Sequence, residues 1–303
     1  MKTLIECVPN ISEGRDHAKI ESVVEAVRQT SGAILLDVDP DADHHRTVVT
    51  FVGEPQAVEV ALLRLVERAV TLIDLTKHQG EHPRMGAVDV IPFVPLKGVT
   101  VAESVELARR VGLAIWQKFR VPVYFYEEAA TRPERRDLAN IRKGQFENYP
   151  QKIQEPDWAP DVGERVVHPT AGVSAVGVRP PLIAFNVNLG TNNLEIAKKI
   201  AKAVRGSDGG LRYIKALGLT LEGRGLTQIS MNLTNFEKTP IYQAYELVKR
   251  EAQRWGVSVV GSEIVGLVPQ AALMQAAEYF LQLEDFQANQ VLENRLAEKL
   301  GKS

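Results

Sequence analysis

The chain has a single cysteine, Cys7, in 303 residues. One thiol excludes an intramolecular disulfide and points to a reducing compartment, the cytoplasm. Cys7 alternates with apolar neighbours and reads as a small core residue. No run reaches the ~18 apolar residues of a membrane span, and the start, MKTLIECVPN, lacks the apolar stretch of a signal peptide. A formal net charge of −2 gives no basic footprint for nucleic acid or an anionic membrane. Aromatics are 6% of the chain and form no strand motif for stacking bases. No Gly-rich phosphate loop follows a strand, and no G-x-S-x-G elbow occurs. Neither nucleic acid nor membrane is therefore an expected partner.

What is present is ordinary for a soluble protein of two domains: 45% hydrophobic and 24% charged residues. Leu4 to Val8 reads as a strand, followed by a polar loop with Asp16 near a helix start, then Ile20, Val23, Val24 and Val27 at helical spacing. Two strands follow, near Ala33 to Val38 and Thr47 to Val52, and Pro55 opens a second helix. Val88 to Leu96 is the next strand, and Pro92 and Pro95 predict an edge or bulged position for it. A helix from Val101 to Val111 and a strand from Val121 to Tyr126 come after. The second half repeats the order. LIAFNVNL parallels LIECVPNI, LEIAKKIAKAVR parallels AKIESVVEAVR, and TQISMNL parallels TVVTFVG. Each half reads β-α-β-β-α-β.

A segment without a repeat partner separates the halves. ERRDLANIRKG is basic and helix-like, ENYPQKIQEPDWAPDVGE is turn-rich, and RVVHPTAGVSAVGVRPP is β-branched and leads to a boundary near Pro180-Pro181. Arg135, Arg136, Arg142 and Lys143 read as a solvated helix face, the alternative being contacts with a polyglutamate tail. The expected fold is α+β: two ferredoxin-like (βαββαβ) subdomains with mixed β-sheets, at residues 1–180 and 181–303, and a ligand groove between them.

The densest polar stretch is KHQGEHPRMGAVDVIPF, Lys77 to Phe93. Glycine and proline disfavour a helix here, so it reads as a structured loop feeding a strand, a common setting for chemistry. His78 to His82 matches the H-x-x-E-H zinc pattern, but Gly80 and Pro83 remove the helix that would put both imidazoles on one face. Asp37, Asp39, Asp41 and Asp43 alternate like the front of a calcium loop, yet Ala42 and Val48 stand where glycine and glutamate are required. The simpler reading is a solvated hairpin loop, with His44 and His45 at its tip. Asp39, fixed in direction by Pro40, is a candidate orienter for a histidine. His82, between Gly-Glu and Pro-Arg, is the candidate general acid/base, a solvated loop histidine being the alternative.

ECVPNISEGRD, DVDPDADHHRTVVTFVG, KHQGEHPRMGAVDVIPFVPLKGVT, LIAFNVNL, QISMNLTNFEKTP and VVGSEIVGLVPQAAL together resemble the formiminotransferase family, the glutamate formimidoyltransferases. The resemblance spans about residues 3 to 286 and is to the form without a cyclodeaminase domain. It implies two α/β subdomains with a folate-binding groove between them, in a homodimer. It also implies transfer of the formimino group of N-formimino-L-glutamate to N5 of tetrahydrofolate, a co-substrate, in histidine degradation and without a metal. The family's catalytic histidine falls on His82 and its D-V-D-P aspartate on Asp39. Its folate-contacting stretch falls on Gly163, Glu164, Arg165, Val166, Val167, His168, Pro169, Thr170, Ala171 and Gly172.

On that reading His82 moves the proton and Asp39 orients it. Arg84 or Arg46 is a candidate to hold a substrate carboxylate, with surface salt bridging as the alternative. Three other readings stay open: transfer from 5-formyltetrahydrofolate, a folate-binding module without turnover, and a metal hydrolase built on His78 and His82.

Overall fold

The first apolar run folds as β1 (Leu4–Cys7) and, past the Val8-Pro9 break, β2 (Asn10–Ile11). The structure, a computed structural model, describes residues 3–42, 44–80 and 83–300. The Asp16 carboxylate accepts from the amides of Ala18 and Lys19 and so starts α1 (His17–Arg28). Next come β3 (Ala33–Asp41), β4 (Arg46–Gly53) and α2 (Pro55–Leu72), which has proline in its first turn. β5 (Val88–Lys97) leads to α3 (Val101–Phe119), started by a Thr100–Glu103 capping box. β6 (Val123–Glu127), α4 (Leu138–Arg142), α5 (Gln145–Lys152) and β7 (Ser174–Val178) complete a unit of residues Met1–Arg179.

Among the described residues this unit holds one seven-stranded sheet. Its order is β3, β4, the split strand β1/β2, β5, β7, β6. The β5–β7 and β6–β7 pairs are parallel and the others antiparallel. One face packs on Val23 and Val27 of α1, Leu62 and Leu65 of α2, and Leu107 and Val111 of α3, all buried. Burying a leucine or valine fully contributes about 1.5–3 kcal/mol, and this face is the main store of stability. Cys7 lies in this core, where burial pushes its thiol well up.

β5 is central rather than an edge strand, so of the two positions the prolines predict, the bulged one is found. The β1–β2 break lies opposite Pro92, whose carbonyl accepts from Val8 N at 3.1 Å. Register shifts opposite Leu4/Ile5 and Asn10/Ile11 absorb the remaining irregularity. The expected hairpin loop is also shorter: β3 runs on through Asp37, Asp39 and Asp41, with Asp39 opposite Val48. Asp43 lies outside the described residues.

The turn-rich segment contains a helix, α5, despite Pro150. Tertiary anchors hold it. Tyr149 is buried with Tyr124 and Tyr126 under the other sheet face, and its hydroxyl donates to the Ile141 carbonyl at 2.8 Å. The Lys152 ammonium bonds the carbonyls of Asn140, Ile141 and Lys143 beside the Trp158 ring; burial brings its pKa down to about 8. The solvated-face reading holds for Arg136 and Lys143 but is corrected for two residues. Arg135 is buried against Asp161 at 2.7 Å, and Arg142 meets Asp89 at 2.6 Å. The Arg135 guanidinium also lies 5.2 Å from the centroid of the Tyr124 ring.

The second unit, Pro180–Ser303, follows the order β8 (Ile183–Leu189), α6 (Leu194–Val204), β9 (Ile214–Leu221), β10 (Leu226–Leu233), α7 (Ile241–Arg254), β11 (Val259–Val265), α8 (Gln270–Leu281) and α9 (Leu292–Lys299). Its strand order is β11-β8-β10-β9, all antiparallel. The expectation of mixed sheets is thus met only in the first unit. Each β-α-β crossover here skips a strand position, so neighbours run in opposite directions. Val187 of β8 packs with Ile200 of α6 and Val248 of α7. Along the same strand Asn186 and Asn188 meet Gln228 and Glu263. Among the described residues no helix is long and apolar enough to cross a membrane.

Candidate functional site

After α2 the chain turns at Leu75–Lys77, where the Asp74 side chain accepts from Thr76 N. It then runs through His78, Gln79 and Gly80; Glu81 and His82, the principal candidate, lie outside the described residues. The near side of this loop is bound in place by residues distant in sequence. The His78 Nε2–H donates to the His45 carbonyl at 2.9 Å, and its Nδ1 accepts from Arg84 Nε at 3.0 Å. A carbonyl only accepts and a guanidinium only donates, so His78 is the neutral Nε2–H tautomer. Burial, with the His45 and Arg84 charges, lowers its pKa. Both nitrogens are thereby committed, which leaves none for a metal. Among the described residues no group of three His, Cys, Asp or Glu side chains is arranged to hold one.

His45 is not at a solvated tip, as the sequence suggests, but wedged under the loop. Its ring stacks on His78 at 4.2 Å, with Nδ1 2.9 Å from the Gln79 carbonyl and Nε2 2.9 Å from Glu13 Oε1. The closeness explains Gly80: a Cβ there would stand 2.7 Å from the His44 carbonyl oxygen and from the His45 Cβ. Glu13 is almost fully buried, and Gly14 N, Arg15 N and Asp16 N donate to its Oε1 at 3.0–3.1 Å. Burial alone would raise its pKa, but the backbone donors and His45 prevail and hold it at about 2.

The far side of the loop is held through Arg84. Its Nη2 also donates to the His78 carbonyl at 3.3 Å, and its Nη1 to Gln145 at 3.2 Å. The remaining two N–H groups form a fork onto Glu147, at 2.9 and 2.5 Å. All five donors are used within the protein, so a substrate carboxylate reaches Arg84 only by replacing one of these partners. Arg46 sits with Asp39, Asp41, Asp89 and Arg142; burial, then Arg142, lowers its pKa. Asp39 is raised by burial and by Asp37 and Asp41.

The 163–172 stretch divides in two. Gly163, Glu164, Arg165 and Val166 are exposed. From His168 on, the backbone zips onto both flanks of the His78 loop: Leu75 N donates to Thr170 O, Ala87 N to Ala171 O, and Val173 N to Met85 O, each at 2.9 Å. Gly172, with φ +69°, approaches so closely that a Cβ would meet the Met85 oxygen at 2.0 Å. His168 Nδ1 accepts from Ala171 N at 3.0 Å, and burial lowers its pKa. The result is a cleft of about 280 Å3 walled by Leu75, Phe146, Pro150, Val167 and Pro169, with Thr76, His78, Glu147 and His168 as its polar groups. A second, more open cleft of about 490 Å3 lies beside it and shares His78 and Glu147.

Sequence comparison gives the formiminotransferase family for both units. The model of the formiminotransferase domain, N-terminal subdomain, matches residues 4–179, and that of the formiminotransferase domain matches residues 184–300. A glutamate formimidoyltransferase of Streptococcus pyogenes serotype M1 is 53% identical, the alignment covering 98% of this chain and 99% of that one. Another, of Thermoplasma acidophilum, is 48% identical over 97% of each. The formimidoyltransferase-cyclodeaminase of Rattus norvegicus is 43% identical over 94% of this chain and 53% of its own length.

Proposed function

The chain belongs to the formiminotransferase family, and from that we propose that it transfers the formimino group of N-formimino-L-glutamate to N5 of tetrahydrofolate, releasing L-glutamate. The observation that carries this is family likeness running unbroken through both units, at 53% identity to a relative of that name. The cleft beside the His78 loop supports it: apolar walls with a few convergent polar groups suit a flat heterocycle.

In the reaction a bond forms between the folate N5 and the formimino carbon, and the bond from that carbon to the glutamate nitrogen breaks. His82 takes the N5 proton and returns it to the departing nitrogen, while Asp39 orients its ring. Holding the two substrates together supplies up to about 7–11 kcal/mol of the barrier, so positioning matters as much as the base. Val167 to Gly172 form one wall of the folate site, and Gly163 to Val166 extend it. Arg84 and Arg46 serve the carboxylates of the donor. No metal takes part.

Residues 1–180 and 181–303 are then the two subdomains, each a ferredoxin-like unit. The common order β3-β4-β1/β2-β5 and β9-β10-β8-β11 supports that reading. The protein works as a cytoplasmic homodimer in histidine breakdown.

The test is a coupled assay with N-formimino-L-glutamate and tetrahydrofolate, followed by folate absorbance. Wild type turns over; His82→Ala loses about 100- to 10,000-fold in kcat while still binding folate. Asp39→Asn lowers kcat more than affinity. Near-normal transfer by His82→Ala overturns the acid/base assignment, and no transfer by wild type overturns the function.

A further inference from the structure

The fork between Arg84 and Glu147 joins unequal partners. The Arg84 side chain is 9% exposed and that of Glu147 57% exposed. Behind, the guanidinium is fixed by three bonds, to His78 Nδ1, the His78 carbonyl and Gln145 Oε1. In front, one edge of Nη1 and Nη2 carries the Glu147 carboxylate. Glu147 lines both clefts and Arg84 only the second, so Glu147 is the more accessible member of the pair. It comes from α5, whose own anchors are Tyr149 and Lys152 rather than this ion pair. Removing Glu147 from the fork therefore leaves both the guanidinium plane and the helix supported.

We infer that Glu147 stands in for a carboxylate of the amino-dicarboxylate donor on Arg84, and that the donor displaces it on binding. The inference rests on the transferase reading and deepens it, by assigning the subsite of one donor carboxylate. Two physical points favour exchange. A buried guanidinium facing a cleft needs an anion at all times, and Glu147 supplies one when the donor is absent. Replacing one carboxylate by another conserves the charge and the bidentate geometry, so the exchange is nearly balanced. The subsite is also near the reacting centre, because Arg84 follows His82 by two residues and at most about 7 Å of backbone. The Arg84 interaction holds the Glu147 pKa below its ordinary range, so the stand-in is ionised wherever the donor is.

The consequence is competitive. An internal anion occupying Arg84 lowers the apparent affinity for the donor by the fraction of time the fork is closed. A partly exposed ion pair makes this about a two- to five-fold effect. Glu147→Gln, which keeps the shape and loses the charge, tightens binding of N-formimino-L-glutamate by about that factor, measured by titration calorimetry without folate. Glu147→Asp, with the charge on a shorter arm, gives a smaller gain. Arg84→Lys, which cannot form the fork, weakens binding by about ten-fold. Unchanged or weaker donor binding in both Glu147 variants, with a wild type that catalyses transfer, overturns the exchange while leaving the function standing. A wild type without transfer overturns the reading beneath it.

Discussion

Replacing Glu13 by glutamine tests whether one buried carboxylate organises the site. Glu13 is held at about 2 against an ordinary value of 4.5 by three backbone amides and the His45 ring. Each pH unit of such a difference corresponds to about 1.4 kcal/mol, so the ionised form contributes about 3 kcal/mol at neutral pH. Glutamine still accepts hydrogen bonds but carries no charge, so the loss expected for Glu13→Gln is about 2–3 kcal/mol, or about 4–12 °C in Tm. The sign with pH follows from the lowered pKa. The contribution is complete above the unfolded-state value near 4.5 and is lost as pH falls towards 2. Urea unfolding of both proteins should give a gap that is constant from pH 8 to 5 and narrows below about pH 4.5. A gap under about 0.5 kcal/mol at pH 7, or one that does not narrow between pH 5 and 3, refutes the reasoning. Glu13 also fixes His45 beneath Gln79, so kcat should fall with stability.

The other predictions concern single contacts. Gly80→Ala puts a methyl 2.7 Å from the His44 carbonyl oxygen, pushing the loop off its seat; kcat falls by about ten-fold or more at little cost to Tm, and a fully active variant refutes the packing. Arg135→Met removes one member of a buried pair and strands Asp161, costing about 3–5 kcal/mol by urea unfolding. Lys152→Met takes away the ammonium that bonds three carbonyls at the end of α4, and α5 becomes sensitive to limited proteolysis.

The order of strands and helices is legible in the sequence because it depends on local periodicity. Val23, Val24 and Val27 in α1, or Leu62 and Leu65 in α2, are buried where a 3.6-residue spacing puts them. What is not legible depends on partners far away in the chain. Pro92 and Pro95 argue locally for an edge or a bulged strand, and the matching break at Val8-Pro9, some eighty residues earlier, decides for the second and admits β5 to the centre. Pro150 argues locally against a helix, yet a tyrosine under the sheet outweighs one missing backbone hydrogen bond. Basic composition in ERRDLANIRKG suggests a wet face, while Asp89 and Asp161 turn Arg142 and Arg135 inward from 53 and 26 positions away.

The candidate site divides along the same line. Gly80 and Pro83 rule out a helix and mark the loop as special, and those are local facts. They say nothing about what keeps such a loop in one shape. A segment with two glycines and a proline, and few side chains of its own to bury, has little internal reason to be ordered. Its order must be imported. The structure supplies it to the described residues from Glu13 and His45 on one side, from Gln145 through Arg84 on the other, and from the backbone of Thr170 and Ala171 below. Glu13 and His45 are 32 positions apart and each is unremarked in its own stretch, so no spacing rule pairs them. A dipeptide of histidines at a hairpin tip is the one available signal, and it points to solvent. Burying His45 is offset by its bond to Glu13, a carboxylate that three backbone amides keep ionised in a largely water-free setting, where a hydrogen bond is electrostatically stronger than in water. The described part of the His78 loop therefore inherits its geometry from a hydrogen-bond chain that begins at the turn into α1, and disturbance of that turn should reach the loop before it reaches the core.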